Sequence, residues 1–258
     1  MKHLLEIVGS AAVCALLTGC TSAPKTRYVP PDPAVLRVGV APVSPPMIFK
    51  SGDRLVGVEA ELAGSLAREL GRKVVFVEEK WEELIDALCN GQIDIIMSSM
   101  SITPARSYRI TFSEPYLKIG QMALARADEK YKYLSNIASQ AERGIGLKPG
   151  TTADFLVRQE LPTATRKYFT DGEQAADALT RKKIDLFISD APMIWYLAGQ
   201  YEAKGLAVTP LVLTQEQLAW GLRRTDTELC GAVNAYLRKA QASGELNQTL
   251  SKWMPGFQ

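Results

Sequence analysis

The chain has one histidine, His3, and no Cys-x-x-Cys pair among its four cysteines. That shortage argues against a zinc site and against any reaction that needs an imidazole base. Charge of one sign is also lacking, because 30 lysines and arginines face 28 aspartates and glutamates for a net charge of +2. So near a balance gives no broad basic surface, and nucleic acid is not expected as a partner. Beyond the N-terminal segment no apolar run approaches the roughly 20 residues of a membrane-spanning helix. The body of the chain therefore reads as water-soluble. With 47% hydrophobic and 22% charged residues, the composition is that of a globular protein, not of a disordered or fibrous one. Its 258 residues suffice for one large domain or two modest ones. No metal or cofactor is implied.

The N-terminus carries the first positive signal. Lys2 and His3 precede an apolar stretch from Ile7 to Leu17, long enough for a signal segment and too short to span a bilayer. It ends in Leu17-Thr18-Gly19-Cys20, which resembles the lipobox of bacterial lipoproteins. The resemblance implies a signal peptide over 1–19, a lipid on Cys20, and a location outside the cytoplasm on a bacterial membrane. Residues 20–35, rich in proline and small polar side chains, read as a tether. Cys14 would leave with the signal. The remaining pair, Cys89 and Cys230, reads as two buried thiols, since spacing alone does not establish a disulfide.

From Leu36 onward short apolar runs alternate with amphipathic segments of helical length, the pattern of an α/β fold with mainly parallel strands. Strands are expected at Leu36–Val40, Val74–Val77 and Ile93–Met97, and helices from Gly57 to Leu70 and from Trp81 to Leu88. An internal repeat then raises the domain count. The stretch from Ala87 to Ser99 aligns without a gap on that from Ala178 to Asp190, each reading as a helix end, a turn, Ile-Asp, an apolar strand and a polar stop. Two similarly built lobes follow. Ligands bind at the carboxyl ends of strands in such sheets, so Ser98-Ser99 and Ser189-Asp190 would face each other across a cleft.

Three segments offer chemistry to that cleft. In Ser98–Arg106, Thr103 is a natural N-cap and Pro104 suits the first helical position, so backbone N–H groups point outward. Arg106 sits at the positive end of that helix, where an anion would satisfy it through paired hydrogen bonds; the alternative is an arginine paired with a protein carboxylate or lying on the surface. Gly150-Thr151-Thr152 opens a helix on the opposite wall and offers a second anion contact or a plain capping turn. Asp190 either accepts hydrogen bonds from an ammonium group or caps the helix behind it. Opposed charges on facing walls suit an α-amino acid. Trp81 either lines the pocket or sits in the core.

Leu55–Leu62, Trp81, Gly91–Asp94, Ser98–Arg106 and Phe112–Tyr116 together resemble the successive signatures of bacterial family 3 extracellular solute-binding proteins, which serve amino-acid ABC transporters. The resemblance runs from about Leu36 to Trp253. It implies a two-lobed periplasmic-binding-protein-like fold of type II, with two open sheets joined by a two-strand hinge. Lobe one would combine 36–123 with 218–258, lobe two would cover 124–217, and crossovers would fall near 122–126 and 211–218. Ser99, Ser101 and Arg106 would hold the ligand carboxylate, Thr151 or Thr152 would add a contact, and Asp190 would take the ammonium group. The partner would be an ABC permease, the protein a monomer, and catalysis absent; a dehydratase on the same scaffold, or a ligand-sensing lobe, is the alternative. Two features depart from the family pattern. The first loop carries Val43-Ser44-Pro45-Pro46-Met47 where a covering aromatic is usual, and Glu59 and Glu61, two apart on a helix, read as structural or solvated.

Overall fold

The computed structural model describes residues 32–134, 142 and 144–256. The signal segment, Cys20 and nearly all of the expected tether lie outside these residues. Two five-stranded sheets organise the remainder. The first runs in the order Lys73–Glu78, Val35–Val40, Ile95–Ile96, Gly221–Leu222, Thr111–Phe112; the second runs Arg166–Tyr168, Ile145–Leu147, Leu186–Asp190, Gln121–Arg126, Leu206–Val212. Helices cover the sheets and bury their apolar stripes. In Val58–Glu69, Val58, Leu62, Ala63 and Leu66 are all inaccessible and pack on Leu36, Val38 and Val40 of the central strand. Gly71, at φ +65°, stops that helix with a turn that a side chain would strain.

The sheets are mainly parallel as expected, with four strands of each running one way and one running against them. In each, two strand pairings are parallel and two antiparallel. The reason lies in the connections. The parallel strands end at the face where the lobes meet, so a strand arriving from the other lobe must start at that face and run the opposite way. Gly221–Leu222 does this in the first sheet and Gln121–Arg126 in the second. The chain passes between sheets at Leu117–Ile119 and Glu216–Leu218, which pair with each other as an antiparallel ribbon. Residues 122–126, expected as a crossover, are instead a strand of the second sheet.

The repeat predicts equivalent structure, and the two copies share one buried device. Asp94 and Asp185 occupy matching positions and are almost completely buried. Arg223 reaches Asp94 at 3.2 Å, and Arg126 reaches Asp185 at 2.7 Å. Each arginine also donates to matching backbone carbonyls: Arg223 to Leu88 and Ile93, Arg126 to Leu179 and Ile184. The guanidinium thus closes a helix C-terminus and the turn after it, where carbonyl oxygens lack helical partners. Cys89 and Cys230 are free thiols, but Cys89 is exposed and Cys230 half-buried. The buried pair expected from sequence is corrected on this point: Cys89 closes its helix on the solvent side, beyond the apolar stripe formed by Leu84, Ala87 and Leu88.

Candidate functional site

The cleft between the sheets holds about 500 Å³ of empty space, part of it open to solvent. Ser98, Ser99, Ser101 and Arg106 line one wall, and Lys148, Thr151, Thr152, Ser189 and Asp190 line the other. Trp81 closes one end, and Val43 and Ser44 stand at the first loop. Phe49, the nearest aromatic in that loop, packs on Tyr196 and Trp253 instead.

The first wall is held rigidly from behind. Ser98 Oγ accepts the amide of Ala41 at 2.9 Å, and Ser99, at φ +56°, donates its N–H to Glu59 Oε2 at 2.6 Å. A serine in the left-handed region is uncommon and needs such a fixed partner. Glu59 is fully buried, and its other oxygen accepts the Tyr116 hydroxyl at 2.8 Å. Burial raises its pKa to about 7, with the Tyr116 and Ser99 hydrogen bonds holding it back. Glu59 is therefore structural, and the solvated alternative is excluded. Glu61, on the outer face, pairs with Lys252.

Thr103 caps the short helix Pro104–Arg109 as its spacing predicts, accepting from Arg106 N at 3.2 Å. The Arg106 side chain is buried, which lowers its pKa through lost solvation. It donates to the Ser101 carbonyl at 2.8 Å and, across the cleft, to the Gly150 carbonyl at 3.3 Å. Its guanidinium carbon lies 5.2 Å from the centre of the Trp81 ring, and the Trp81 indole N–H also donates to the Gly150 carbonyl, at 3.3 Å. Among the described residues no carboxylate forms an ion pair with Arg106. The protein-paired alternative fails, and the rest of the guanidinium fork is left to the cleft. Ser101 is placed beside it but donates its hydroxyl to Glu216 at 2.6 Å.

On the second wall Thr151 caps the helix Thr152–Glu160, accepting from Asp154 N at 3.4 Å, while its hydroxyl donates to the Lys148 carbonyl at 2.8 Å. The Thr152 hydroxyl accepts from Gln121 Nε2 at 3.0 Å. Asp190 precedes the helix Ala191–Tyr201 without capping it; its carboxylate accepts from Gln121 Nε2 at 2.6 Å. Burial pushes its pKa up to about 6; the Gln121 hydrogen bond and the charges of Arg106 and Lys148 oppose this, and Glu216 adds to it. Burial likewise lowers the Lys148 ammonium to about 8.

The structure thus brings Ser99, Ser101, Arg106, Thr151, Thr152, Asp190 and Trp81 to one cleft. Sequence reasoning missed Lys148 and Gln121. Lys148 stands in the same loop as Thr151, and that loop's predicted position on the cleft was the signal available for it. Gln121 begins a strand that the sequence reads as a connection, so nothing marked it.

Two α/β lobes joined by a paired ribbon, with a polar cleft of opposed charges between them, define a solute-binding protein. The model of bacterial extracellular solute-binding proteins, family 3, matches residues 36–256, and the chain belongs to that family. It is 25% identical over 260 residues to the arginine-binding extracellular protein ArtP of Bacillus subtilis (strain 168), covering 99% of each chain. It is 27% identical over 220 residues to the L-cystine-binding protein TcyJ of Escherichia coli (strain K12), covering 84% of this chain and 82% of the relative. Among solved structures, an ancestral amino acid-binding protein, AncCDT-1, a precursor of cyclohexadienyl dehydratase, superposes with a TM-score of 0.77 at 31% identity, over 85% of this chain and 95% of that one. A putative ABC-transporter binding component from Wolinella succinogenes DSM 1740, complexed with lysine, gives a TM-score of 0.81 at 26% identity, over 86% and 96%.

Proposed function

We propose that the protein captures a free α-amino acid between its lobes and delivers it to the permease of an ABC transporter, acting as a monomer tethered to the membrane through lipid on Cys20. Arg106 and the wall around Ser99 and Ser101 take the carboxylate, Asp190 takes the ammonium group, and Thr151 and Thr152 complete the second wall with Trp81 at the cleft end. The ribbon of Leu117–Ile119 and Glu216–Leu218 is the hinge. The observation that carries this reading is Arg106, buried at the cleft without an ion-paired carboxylate among the described residues and opposite the half-buried Asp190. A buried cation of this kind calls for an anion that brings its own hydrogen-bond acceptors.

A dehydratase on this scaffold requires a general acid free to reach a leaving group. The carboxylates lining the cleft are Asp171 and Asp190. Asp171 caps a helix by accepting from Gln174 N, and Asp190, held by Gln121 through Oδ1, is the acceptor assigned above to the ligand ammonium group. Binding without turnover is the reading these commitments support. A thermal-shift and calorimetric panel of the amino acids tests it, with Arg106→Ala as control. At a ligand concentration 100-fold above Kd, stabilisation of about 2.7 kcal/mol is expected. No shift with any amino acid, or an equal shift in Arg106→Ala, overturns it; sustained conversion of prephenate or arogenate overturns the exclusion of catalysis.

A further inference from the structure

Thr151, Thr152, Asp171 and Asp190 on the second wall each have at least one partner among the described residues, Asp190 through Oδ1 alone. Thr151 caps its helix and donates to a carbonyl, Thr152 and Asp190 accept from Gln121, and Asp171 accepts from Gln174. Lys148 is different. Its backbone carbonyl is used, but among the described residues its ammonium group has neither a hydrogen-bond acceptor nor an ion-pair partner. It lines the cleft, and its Nζ lies 5.3 Å from the centre of the Trp81 ring. An ammonium group has three N–H donors and no acceptor, so leaving it unmatched in a partly desolvated site is costly. Asp190, Glu82 and Asp171 supply a favourable field without touching it.

Trp81 narrows the choice further. Arg106 and Lys148 both lie against its ring, at 5.2 and 5.3 Å. The attraction of the ring for cations is already taken up by the protein. The first loop offers Val43 and Ser44 rather than a second ring, and Phe187 is the other aromatic lining the cleft. A ligand with a cationic side chain would therefore find the Trp81 ring already faced by two protein cations, and the lining carboxylate besides Asp190, Asp171, already accepting from Thr170 and Gln174.

Resting on the amino-acid reading above, we propose that Lys148 selects the ligand by its side chain, and that the ligand is an amino acid ending in a carboxylate or amide oxygen. The α-carboxylate goes to Arg106 and the α-ammonium to Asp190, which leaves Lys148 as the donor to the side-chain oxygen. Arginine and lysine lack that acceptor. Alanine lacks the side chain and would leave Lys148 unmatched.

Calorimetry on the full mature chain with glutamate, glutamine, aspartate, asparagine, alanine, arginine and lysine tests this. At least one of the first four should bind ten-fold or more tightly than arginine, lysine and alanine. In Lys148→Met that preferred ligand should weaken by about 10- to 100-fold, the worth of a charge-assisted hydrogen bond, while alanine changes less than three-fold. Lys148→Arg should retain the order of preference, and equal melting temperatures exclude misfolding as the cause. If arginine, lysine or alanine binds tightest, or if Lys148→Met weakens all ligands equally, the assignment of Lys148 is overturned while the binding function stands. If no amino acid binds, the failure belongs to the binding function itself.

Discussion

Glu59 shows how a fully buried residue that does not line the cleft shapes the site. Its buried carboxylate pins the Ser99 amide, and its pKa is raised to about 7. A carboxyl raised in the folded state contributes stability that is complete below its unfolded pKa of about 4.5 and is lost as pH rises through about 7. The loss amounts to about 3 kcal/mol at most. Glu59→Gln keeps an acceptor for Ser99 and cannot ionise, so urea denaturation should show it gaining on the parent between pH 5 and pH 8. A constant difference across that range would mean that Glu59 does not titrate there. Asp190 carries the opposite sign for binding. In the proposed assignment its charged form meets the ligand ammonium, so affinity should fall as pH drops below about 6, approaching ten-fold per unit, and Asp190→Asn should bind weakly with no such slope in calorimetry. Arg106→Lys keeps the charge but loses the planar fork. A loss of ten-fold or more in affinity is expected, and an unchanged Kd would show that paired hydrogen bonding is not used.

Among the elements, the ribbon between the lobes has the least room for change. Gly120 follows Leu117–Ile119, and a Cβ there would stand 2.5 Å from the Thr214 carbonyl oxygen and 2.6 Å from Val212 Cγ1. The opposing connection would have to shift, at roughly 1–3 kcal/mol. Gly120→Ala should lower the melting temperature and change the ligand-induced compaction measured by small-angle scattering; wild-type values in both would show that the two connections move apart freely. Hydrogen bonds run through this ribbon from wall to wall. Ser101 donates to Glu216, Glu216 accepts from Thr214, and the Thr214 hydroxyl accepts from Gln121 N. Gln121 in turn donates to Asp190 and Thr152. The arginine devices are also element-scale; Asp94 keeps Arg37 at 2.6 Å when Arg223 is removed, so Arg126→Met and Arg223→Met should each destabilise by about 1–3 kcal/mol through the carbonyls and carboxylate they leave. A large disparity in their denaturation midpoints would show that the likeness is geometric only.

At the scale of the whole molecule, the features legible in sequence are those that are local. The Ile-Asp repeat announced two lobes because a helix, turn and strand are contiguous, and Ser98–Arg106 was readable for the same reason. Asp94 and Asp185 were visible as matching letters, but their arginines arrive from strands far along the chain, so the shared device was not. The mainly parallel sheets were legible, but the one reversed strand in each escaped because it depends on where a connection enters the sheet, which hydrophobic periodicity does not encode. Lys148 escaped because a lysine in a polar loop ordinarily faces solvent, and only the opposite lobe makes this one face inward. One contact described above also bears on how the receptor responds. The Gly150 carbonyl takes N–H groups from both Trp81 and Arg106 of the facing lobe, and neither bond involves the ligand's side chain. They add the same increment to closure over every amino acid that fits. That pair of bonds thus sets the gain of the receptor, the concentration at which it responds, while discrimination among cargoes must be decided elsewhere in the cleft.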